Sequence, residues 1–333
     1  MPPIAPFSPA DLPALRVLFR GFPHKALQQR FQSLNPDVLA DLFLEEERAR
    51  LEKSGPNQAV QWILRENGDL TAFAGLQPDS WHSGFYPWRF GRIAPFLTCR
   101  ASQSARTGFV RDLLAQADAA GYQHLITRVD GSEYEALRAL VDEGFRLVDC
   151  SVKMSARIEA VPPLAPPSRA AGMSIRPYKV EDLPEMRRIV TSSHPCNHYY
   201  NDPWLSREGT DRLFAAWIER CCERMRSDVF VLDRHGHSRG FIIYLYPMRL
   251  NQAMGTKLVI LDLVCLDREA QGGGLGRWLI AETLRRLAPA SSMVELRTSQ
   301  NNYPALNCYA DLGMRILSTD FILHRHLAAK AIP

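Results

Sequence analysis

A glycine-rich segment in the second half of the chain has the composition of an anion-binding turn. Residues 271–276 read Gln-Gly-Gly-Gly-Leu-Gly, between an apolar run, Leu261–Leu266, and a helical pattern. Such a turn brings backbone N–H groups without side chains to the positive end of a helix, which favours binding of a diphosphate. It is not a Walker loop, because no Gly-Lys-Ser/Thr follows, and Leu279 stands where a dinucleotide-binding loop needs its third glycine. A tight turn that only packs the helix on a sheet is the alternative.

A second group of residues could recognise a flat, polar ligand. The run from His194 to Trp204 reads His-Pro-Cys-Asn-His-Tyr-Tyr-Asn-Asp-Pro-Trp and includes His198, Tyr199 and Tyr200. It is too polar, aromatic and proline-containing for a plain helix. Stacking on the aromatic rings and hydrogen bonding from histidine and asparagine would suit a sugar or a nucleobase. A surface loop with capping asparagine and aspartate explains the same residues without a ligand.

The elements that must position these groups are predicted from hydrophobic spacing and turn residues. The predicted order in the second half is helices, antiparallel strands with a hairpin at His235-Gly236, a strand, a helix, a strand, a helix and a strand. The predicted segments are Asp182–Ser192, Ser206–Met225, Val229–Asp233, Gly240–Tyr246, Lys257–Leu266, Gly274–Leu287, Met293–Thr298, Tyr303–Leu312 and Arg315–His324. This order indicates an α+β fold with a mixed, mostly antiparallel sheet flanked by helices, and not a doubly wound one.

The two halves of the chain resemble each other. An Asp-Leu-Pro helix start recurs at an offset of 171 residues (Asp11 and Asp182), and the pattern from Tyr134 recurs from Tyr303 at an offset of 169. The proline- and alanine-rich stretch 160–172 lies between them and favours extended chain. We therefore predict a duplicated domain: residues 1–159, a linker at 160–172, and residues 173–333. A chance recurrence of a common helix start is the alternative.

Composition excludes several classes of protein. The 333 residues are 46% apolar and 23% charged with a net charge of +4, and no basic block is present, so a nucleic-acid partner is not expected. Seven cysteines without a C-x-x-C pair suggest neither a disulfide framework nor a zinc site, and no metal is expected. The first residues, Met1–Phe7, lack the features of a signal peptide, and no apolar stretch is long enough to cross a bilayer. We therefore expect a cytoplasmic protein with no membrane partner.

The strand, the glycine-rich turn and the helix that follows resemble the acetyl-CoA motif of the GNAT acetyltransferase superfamily, Gln/Arg-x-x-Gly-x-Gly/Ala. A second element of that superfamily, Asn-x-x-Ala-x-x-x-Tyr followed by glycine and an apolar residue, matches Asn302, Ala305, Tyr309, Gly313 and Met314. Met314 departs from the usual phenylalanine. The resemblance implies tandem GNAT-like domains and acetyl-CoA as the cosubstrate.

The resemblance also implies positions for the coenzyme. The pantetheine arm would pair with the main chain around Val264 and Leu266. Asn302 would contact pantetheine or its phosphate side, and Tyr309 would lie near the sulfur. The diphosphate would be held by the amides of Gln271, Gly272, Gly274 and Gly276, together with Arg277.

Two residues are candidates for proton transfer. Tyr309 could protonate the departing thiolate, because a phenol and a thiol have comparable pKa values; an ordinary helix tyrosine is the alternative. Asp262 has the same strand parity as Val264 and Leu266, so its carboxylate is expected to face the cleft and act as the base. It could equally cap or pair on the sheet.

The first half lacks these features. At the repeat offset the glycine turn falls at 101–106, which contains no glycine, and Tyr309 corresponds to Leu140. Side chains there would block a diphosphate, and leucine cannot donate a proton. The first half is therefore expected to be a degenerate copy.

Taken together, these features predict an N-acetyltransferase acting on the primary amine of a small molecule, with His194, His198, Tyr199 and Trp204 contacting it. Parts of the second half resemble the dTDP-fucosamine acetyltransferases, which implies a nucleotide-linked amino sugar. The resembling stretches are 194–217, 296–300, 305–309 and 323–325. Acetylation of a protein, peptide or aminoacyl group and non-catalytic acyl-CoA binding are alternatives, and the oligomeric state is open, a homodimer included.

Overall fold

A computed structural model describes residues 4–22, 34–53, 59–98, 100–193, 197–223 and 227–327. The chain forms two units, one of Met1–Cys150 with Thr319–Pro333 and the other of Ser151–Ser318. Each boundary falls inside a strand, β6 (Arg146–Arg157) or β12 (Arg315–His326). The segment 160–172 therefore lies within the second unit, and each unit is completed by a strand from the far end of the other repeat.

In the part of the second unit that the structure describes, six strands form the sheet. Its order is β7-β8-β9-β10-β11-β6, and neighbouring strands are antiparallel except β10 and β11, which are parallel. The strands besides β6 are β7 (Met173–Pro177), β8 (Ser227–Arg234), β9 (His237–Leu245), β10 (Leu258–Leu266) and β11 (Met293–Ser299). The helices are α6 (Leu183–Ser193), α7 (His198–Asn201), α8 (Arg207–Glu223), α9 (Met248–Met254), α10 (Leu275–Leu287) and α11 (Tyr303–Asp311).

The first unit repeats this plan. Its sheet has the order β1-β2-β3-β4-β5-β12, with β4 and β5 as the parallel pair. The strands besides β12 are β1 (Ala5–Pro6), β2 (Val60–Glu66), β3 (Asp69–Pro78), β4 (Phe90–Leu97) and β5 (His124–Asp130). The helices are α1 (Leu12–Gly21), α2 (Pro36–Glu52), α3 (Ser80–Ser83), α4 (Gln103–Ala119) and α5 (Tyr134–Asp142). The predicted α+β class with a mixed, mostly antiparallel sheet is confirmed.

Local sequence signals place the elements of the second unit well. Strand and helix bounds agree with the predicted segments to within about three residues wherever both ends are described, and the predicted hairpin is present. At its tip His235 and Gly236 have φ of 55° and 84°, as a two-residue type I′ turn requires. Helix α9 was not predicted. The last strand, predicted at Arg315–His324 without a partner, pairs with β5 of the first unit, from Asp320 opposite Asp130 to His326 opposite His124.

Helices cover both faces of the second unit's sheet. On one face, α6 contributes Leu183, Met186, Ile189 and Val190 at the spacing of a helix stripe, together with apolar residues of α8. On the other face, α10 contributes a row of fully buried apolar side chains. None of the described helices is long and apolar enough to cross a membrane.

Candidate active site

Strands β10 and β11 separate part-way along their length. They pair from Leu258 opposite Met293 to Leu261 opposite Leu296, and within the described residues no further pairing joins them. Strand β10 nevertheless continues to Leu266, paired with β9 on its other side. One edge of its last residues is therefore open, and an open edge offers backbone groups to an extended ligand.

A β-bulge lies where the strands separate. The register between β10 and β9 shifts between Leu261 and Leu263. Leu261 packs with the cluster on the α10 face, whereas Leu263 packs with the cluster on the α6 and α8 face. A bulge inserts one residue and so changes the alternation of side chains along a strand. Val264, beyond the bulge, packs against the cluster on the α10 face again.

Asp262 occupies this bulge and faces helix α8. The indole Nε1–H of Trp217 donates a 2.7 Å hydrogen bond to Asp262 Oδ2. Contrary to the prediction from strand parity, Asp262 does not share a face with Val264 and Leu266, because the bulge intervenes. Burial raises the pKa of the Asp262 carboxyl above its ordinary value, and the bond from Trp217 opposes that shift. A carboxylate with a raised pKa is a better proton acceptor than one in water.

Helix α8 also packs against the aromatic run, the name used here for the described part of the segment His194–Trp204. Tyr200 stacks on Phe214, with ring centroids 6.1 Å apart, and its hydroxyl donates a 2.5 Å hydrogen bond to Asp211. Tyr199 meets Phe214 edge-on and lies 3.9 Å from the ring of His198. Phe214 and Trp217 are one helical turn apart, so one helix contacts both the aromatic run and Asp262.

The aromatic run contains one turn of helix, α7, rather than loop throughout. Asn197 accepts hydrogen bonds from the N–H groups of Tyr199 and Tyr200, at 3.0 and 3.3 Å, as an N-cap does. The backbone N–H of Trp204 donates a 2.9 Å hydrogen bond to the side chain of buried Asp202. His194 lies outside the described residues.

The glycine-rich turn has a backbone that only glycine adopts readily. Gly272, Gly273 and Gly274 all have positive φ, at 77°, 62° and 84°, and Gly274 is the N-cap of α10. The first helical hydrogen bond of α10 runs from the Trp278 N–H to the Gly274 carbonyl at 3.0 Å. The N–H groups that precede it have no partner inside the helix, and the helix dipole makes their end positive.

Gly276 differs from the three glycines before it. A Cβ built there would meet only Cδ1 of Leu266, at 3.5 Å, which is an ordinary contact, and its φ is not positive. Packing within the protein therefore does not require glycine at this position. A glycine that packing does not require fits close approach of a ligand to the helix.

Two of the predicted coenzyme-binding residues contact other parts of the protein through their side chains. Arg277 forms a 2.7 Å ion pair with Asp311 of α11, and both side chains are about half exposed. Gln271 donates its Nε2–H to the carbonyl of Leu266 at 3.1 Å. The side chain of Gln271 thus ties the turn to the open edge of β10.

The second motif begins beyond the end of β11. Asn302 donates from Nδ2 to Thr298 Oγ1 at 3.0 Å, and α11 begins at the next residue. Tyr309, on this helix, is 5% exposed and belongs to the apolar cluster against which Val264 and Leu266 pack. Burial raises the pKa of its hydroxyl, and Cys308 and Cys265 raise it further, so Tyr309 is a protonated phenol at neutral pH.

The corresponding position in the first unit is filled by a side chain. Arg106, in the first turn of α4, is 2% exposed, and its guanidinium donates to the carbonyls of Thr98 and Ala101 at 2.9 to 3.2 Å. It also forms a 2.9 Å ion pair with Glu135. Leu140, the counterpart of Tyr309, is fully buried. The start of α4 is therefore occupied by the guanidinium of Arg106, a cation of the chain itself.

Nothing in the local sequence marks Trp217 as a site residue, because it lies among apolar residues at helical spacing within the predicted helix Ser206–Met225. Asp262 lies 45 residues further along the chain, and no local pattern connects the two.

Comparisons with known proteins agree with this architecture. Residues 184–314 match the acetyltransferase (GNAT) family model. A search of curated protein sequences finds no significant match. A tandem GNAT protein from the clavulanic acid biosynthesis pathway is structurally similar, with 14% identity, a TM-score of 0.57, and 98% of this chain and 99% of that chain covered.

Two further solved structures are similar across nearly all of this chain. A GCN5-related N-acetyltransferase from Sphaerobacter thermophilus has 16% identity and a TM-score of 0.62, with 97% of this chain and 95% of that chain covered. A GCN5-related glucosamine N-acetyltransferase region of a fungal multi-domain β-N-acetylglucosaminidase has 12% identity and a TM-score of 0.60, with 96% and 37% covered. Residues 184–314 therefore match the GNAT acetyltransferase family model, and the chain as a whole shares its fold with a tandem GNAT protein.

Proposed function

We propose that the second unit transfers an acetyl group from acetyl-CoA to the primary amine of a small molecule by direct attack of the amine on the thioester. One observation carries this proposal: β10 opens away from β11 directly before the glycine-rich turn. Tyr309 lies in the apolar cluster that packs against the opened strand. Acetyl-CoA bound along that edge would have its diphosphate near the start of α10 and its sulfur near the phenol of Tyr309.

The residues at this edge fit a coenzyme of that kind. Val264 and Leu266 would offer backbone groups to the amides of the pantetheine arm, as an added strand would. The diphosphate would lie on the amides of Gln271, Gly272, Gly274 and Gly276, and Arg277 would add positive charge in exchange for its pair with Asp311. Asn302 would contact the pantetheine side.

Starting from an ammonium group, the nitrogen must lose two protons, one before it attacks and one as the amide forms, and the sulfur must gain one. An ammonium group must lose a proton before it can attack, and Asp262 is the proposed acceptor of that proton, directly or through a water molecule. The neutral nitrogen then forms a bond with the acetyl carbon, the carbon–sulfur bond breaks, and the nitrogen releases its second proton to solvent. Tyr309 donates its hydroxyl proton to the departing thiolate, and a proton from solvent restores the phenol.

The acceptor site is proposed at the aromatic run. His198, Tyr199 and Trp204 are half-buried, and Tyr199 packs against Phe214 of α8, the helix whose Trp217 bonds Asp262. Aromatic faces next to histidine suit a sugar or a nucleobase. His194 is included from the sequence alone. The glucosamine N-acetyltransferase region among the structural relatives supports an amino sugar, and its attachment to a nucleotide rests on the sequence resemblance.

A screen of amines with acetyl-CoA, following release of free thiol, tests this proposal. The panel contains amino sugars, nucleotide-linked amino sugars, polyamines, aminoacyl compounds and peptides. Thiol release with an amino sugar, with the acetylated amine found by mass spectrometry, is the expected result. Acetylation of peptides alone would overturn the small-molecule assignment. Binding of acetyl-CoA without thiol release from any amine would indicate an acyl-CoA-binding protein.

A further inference from the structure

The segment 160–172 contacts the glycine-rich turn through Arg169. The guanidinium of Arg169 donates to the carbonyl of Glu269 at 2.7 Å and to the carbonyl of Gln271 at 3.0 Å. A Cβ placed on Gly273 would lie only 2.5 Å from Cδ of Arg169. Arg169 therefore lies directly against the turn, although about 100 residues separate them in sequence.

The position of Arg169 fixes one peptide group of the turn. In a trans peptide the C=O and the next N–H point in opposite directions. Because the Gln271 carbonyl points to Arg169, the N–H of Gly272 points away from it, toward the other side of the turn. Gln271 is extended, with φ of −73° and ψ of 153°, and the three glycines that follow impose little restriction on the backbone. Such a peptide can rotate unless something holds its carbonyl.

We propose that Arg169 is a positioning residue that holds the Gln271–Gly272 peptide with its N–H toward the coenzyme's diphosphate. This inference rests on the proposed function of the turn. If the peptide rotated, its carbonyl oxygen would replace an N–H donor next to an anion and repel it. The segment between the repeats thus determines affinity for the nucleotide end of the coenzyme, in addition to connecting the two repeats.

Binding measurements on Arg169→Ala and Arg169→Lys test this inference. Calorimetry with CoA and with pantetheine, which lacks the diphosphate, separates the two ends of the ligand. Arg285→Ala is the matched control, because Arg285 is an exposed arginine at the far end of α10 that pairs with Glu282 of the same helix. Losing two hydrogen bonds from a charged donor is expected to raise the Kd for CoA about tenfold in Arg169→Ala.

The pattern across ligands decides the outcome. The Kd for pantetheine should be unchanged in Arg169→Ala, and Arg169→Lys, which keeps the charge but not the paired geometry, should recover part of the affinity for CoA. Equal CoA affinity in Arg169→Ala and Arg285→Ala would overturn the inference. So would an equal loss of CoA and pantetheine binding, since that indicates general disruption. Failure of the unmodified protein to bind CoA would contradict the proposed function instead.

Discussion

The indole N–H of Trp217 donates to Oδ2 of Asp262 across 2.7 Å, which joins helix α8 to the bulge of β10. The carboxyl group that it meets has a raised pKa because of burial, and this hydrogen bond favours the ionised form. Trp217 therefore controls how readily Asp262 accepts a proton. The same helix packs against Tyr199 and Tyr200, so the proposed base and the proposed acceptor site share one support.

Replacing Trp217 with phenylalanine should change the pH dependence of the reaction. Without the donor the pKa of Asp262 rises further, and a base is inactive once it is protonated. The acid limb of the kcat/KM profile should therefore move to higher pH, with activity on that limb reduced about tenfold for loss of a hydrogen bond to a charged group. The plateau at high pH should change little.

Asp262→Asn is the companion variant for this prediction. It should lower kcat by about a hundredfold or more, as loss of a general base does. It should also stabilise the fold at neutral pH. A raised pKa in the folded state means that folding disfavours the charged carboxylate, which lowers the free energy of unfolding. This loss of stability is absent at pH values below the pKa of the unfolded chain and complete at pH values above the pKa of the folded protein. A Tm gain at pH 7 that disappears in acid is expected, and an unchanged acid limb in Trp217→Phe would remove Asp262 as the base.

Gly276→Ala should show whether glycine is needed at this position for packing of the protein or for approach of the ligand. The new Cβ would make one ordinary contact, with Leu266, and alanine is favoured over glycine inside a helix by roughly 1 kcal/mol. The folded protein should therefore be as stable as the original or more so. The same methyl group would stand where the coenzyme's diphosphate must approach, so the Kd for CoA in calorimetry should rise at least tenfold. A stable variant with unchanged CoA affinity would show that the diphosphate does not bind at this turn.

Tyr309→Phe should reduce turnover and leave binding intact. The ring stays in its apolar cluster, but the proton for the leaving thiolate is lost, so kcat should fall about a hundredfold while the Kd for acetyl-CoA is unchanged. Tyr244→Phe is the matched control. Its hydroxyl lies in the same cluster and bonds Thr283 at 2.8 Å, so this variant should lose stability and keep its kcat. Full activity in Tyr309→Phe would require another proton donor.

Most elements of the second unit could be predicted from the sequence because their signals are local. The stripe of α6 and the His235-Gly236 turn both depend on residues within a few positions of one another. The face of the sheet to which the Asp262 side chain points could not be predicted, because the bulge arises from pairing between β10 and β9. Nor could the contact of Arg169 with Gln271, because no periodicity connects residues about 100 positions apart. The partner of β12 was missed for the same reason: its sequence is that of a strand, whichever neighbour it pairs with.

One molecule of CoA should bind per chain, because Arg106 fills the corresponding helix start of the first unit. Calorimetric stoichiometry checks this directly, and Gly274→Glu should abolish all binding rather than half of it. Arg106→Ala should not create a second site. It should instead destabilise the first unit by about 3 kcal/mol, because buried carbonyls lose their donors, and this would lower Tm by several degrees. Two equivalents of bound CoA would contradict this account of the first unit.

Cutting the chain between residues 160 and 172 should not release two independent domains. The fragment before the cut lacks β12, so the edge of β5 that pairs with it, for example Thr127 opposite Leu323, is left exposed. The fragment after the cut lacks β6, which pairs with β11 from Ser151 opposite Ser299 to Arg157 opposite Met293. Unpaired strand edges promote aggregation, so each fragment expressed alone should be insoluble or unfolded by circular dichroism. Coexpression should restore a soluble complex that binds CoA, because the two fragments together supply all of the strands. A fragment from residue 173 onward that is folded and active alone would show that β6 is dispensable.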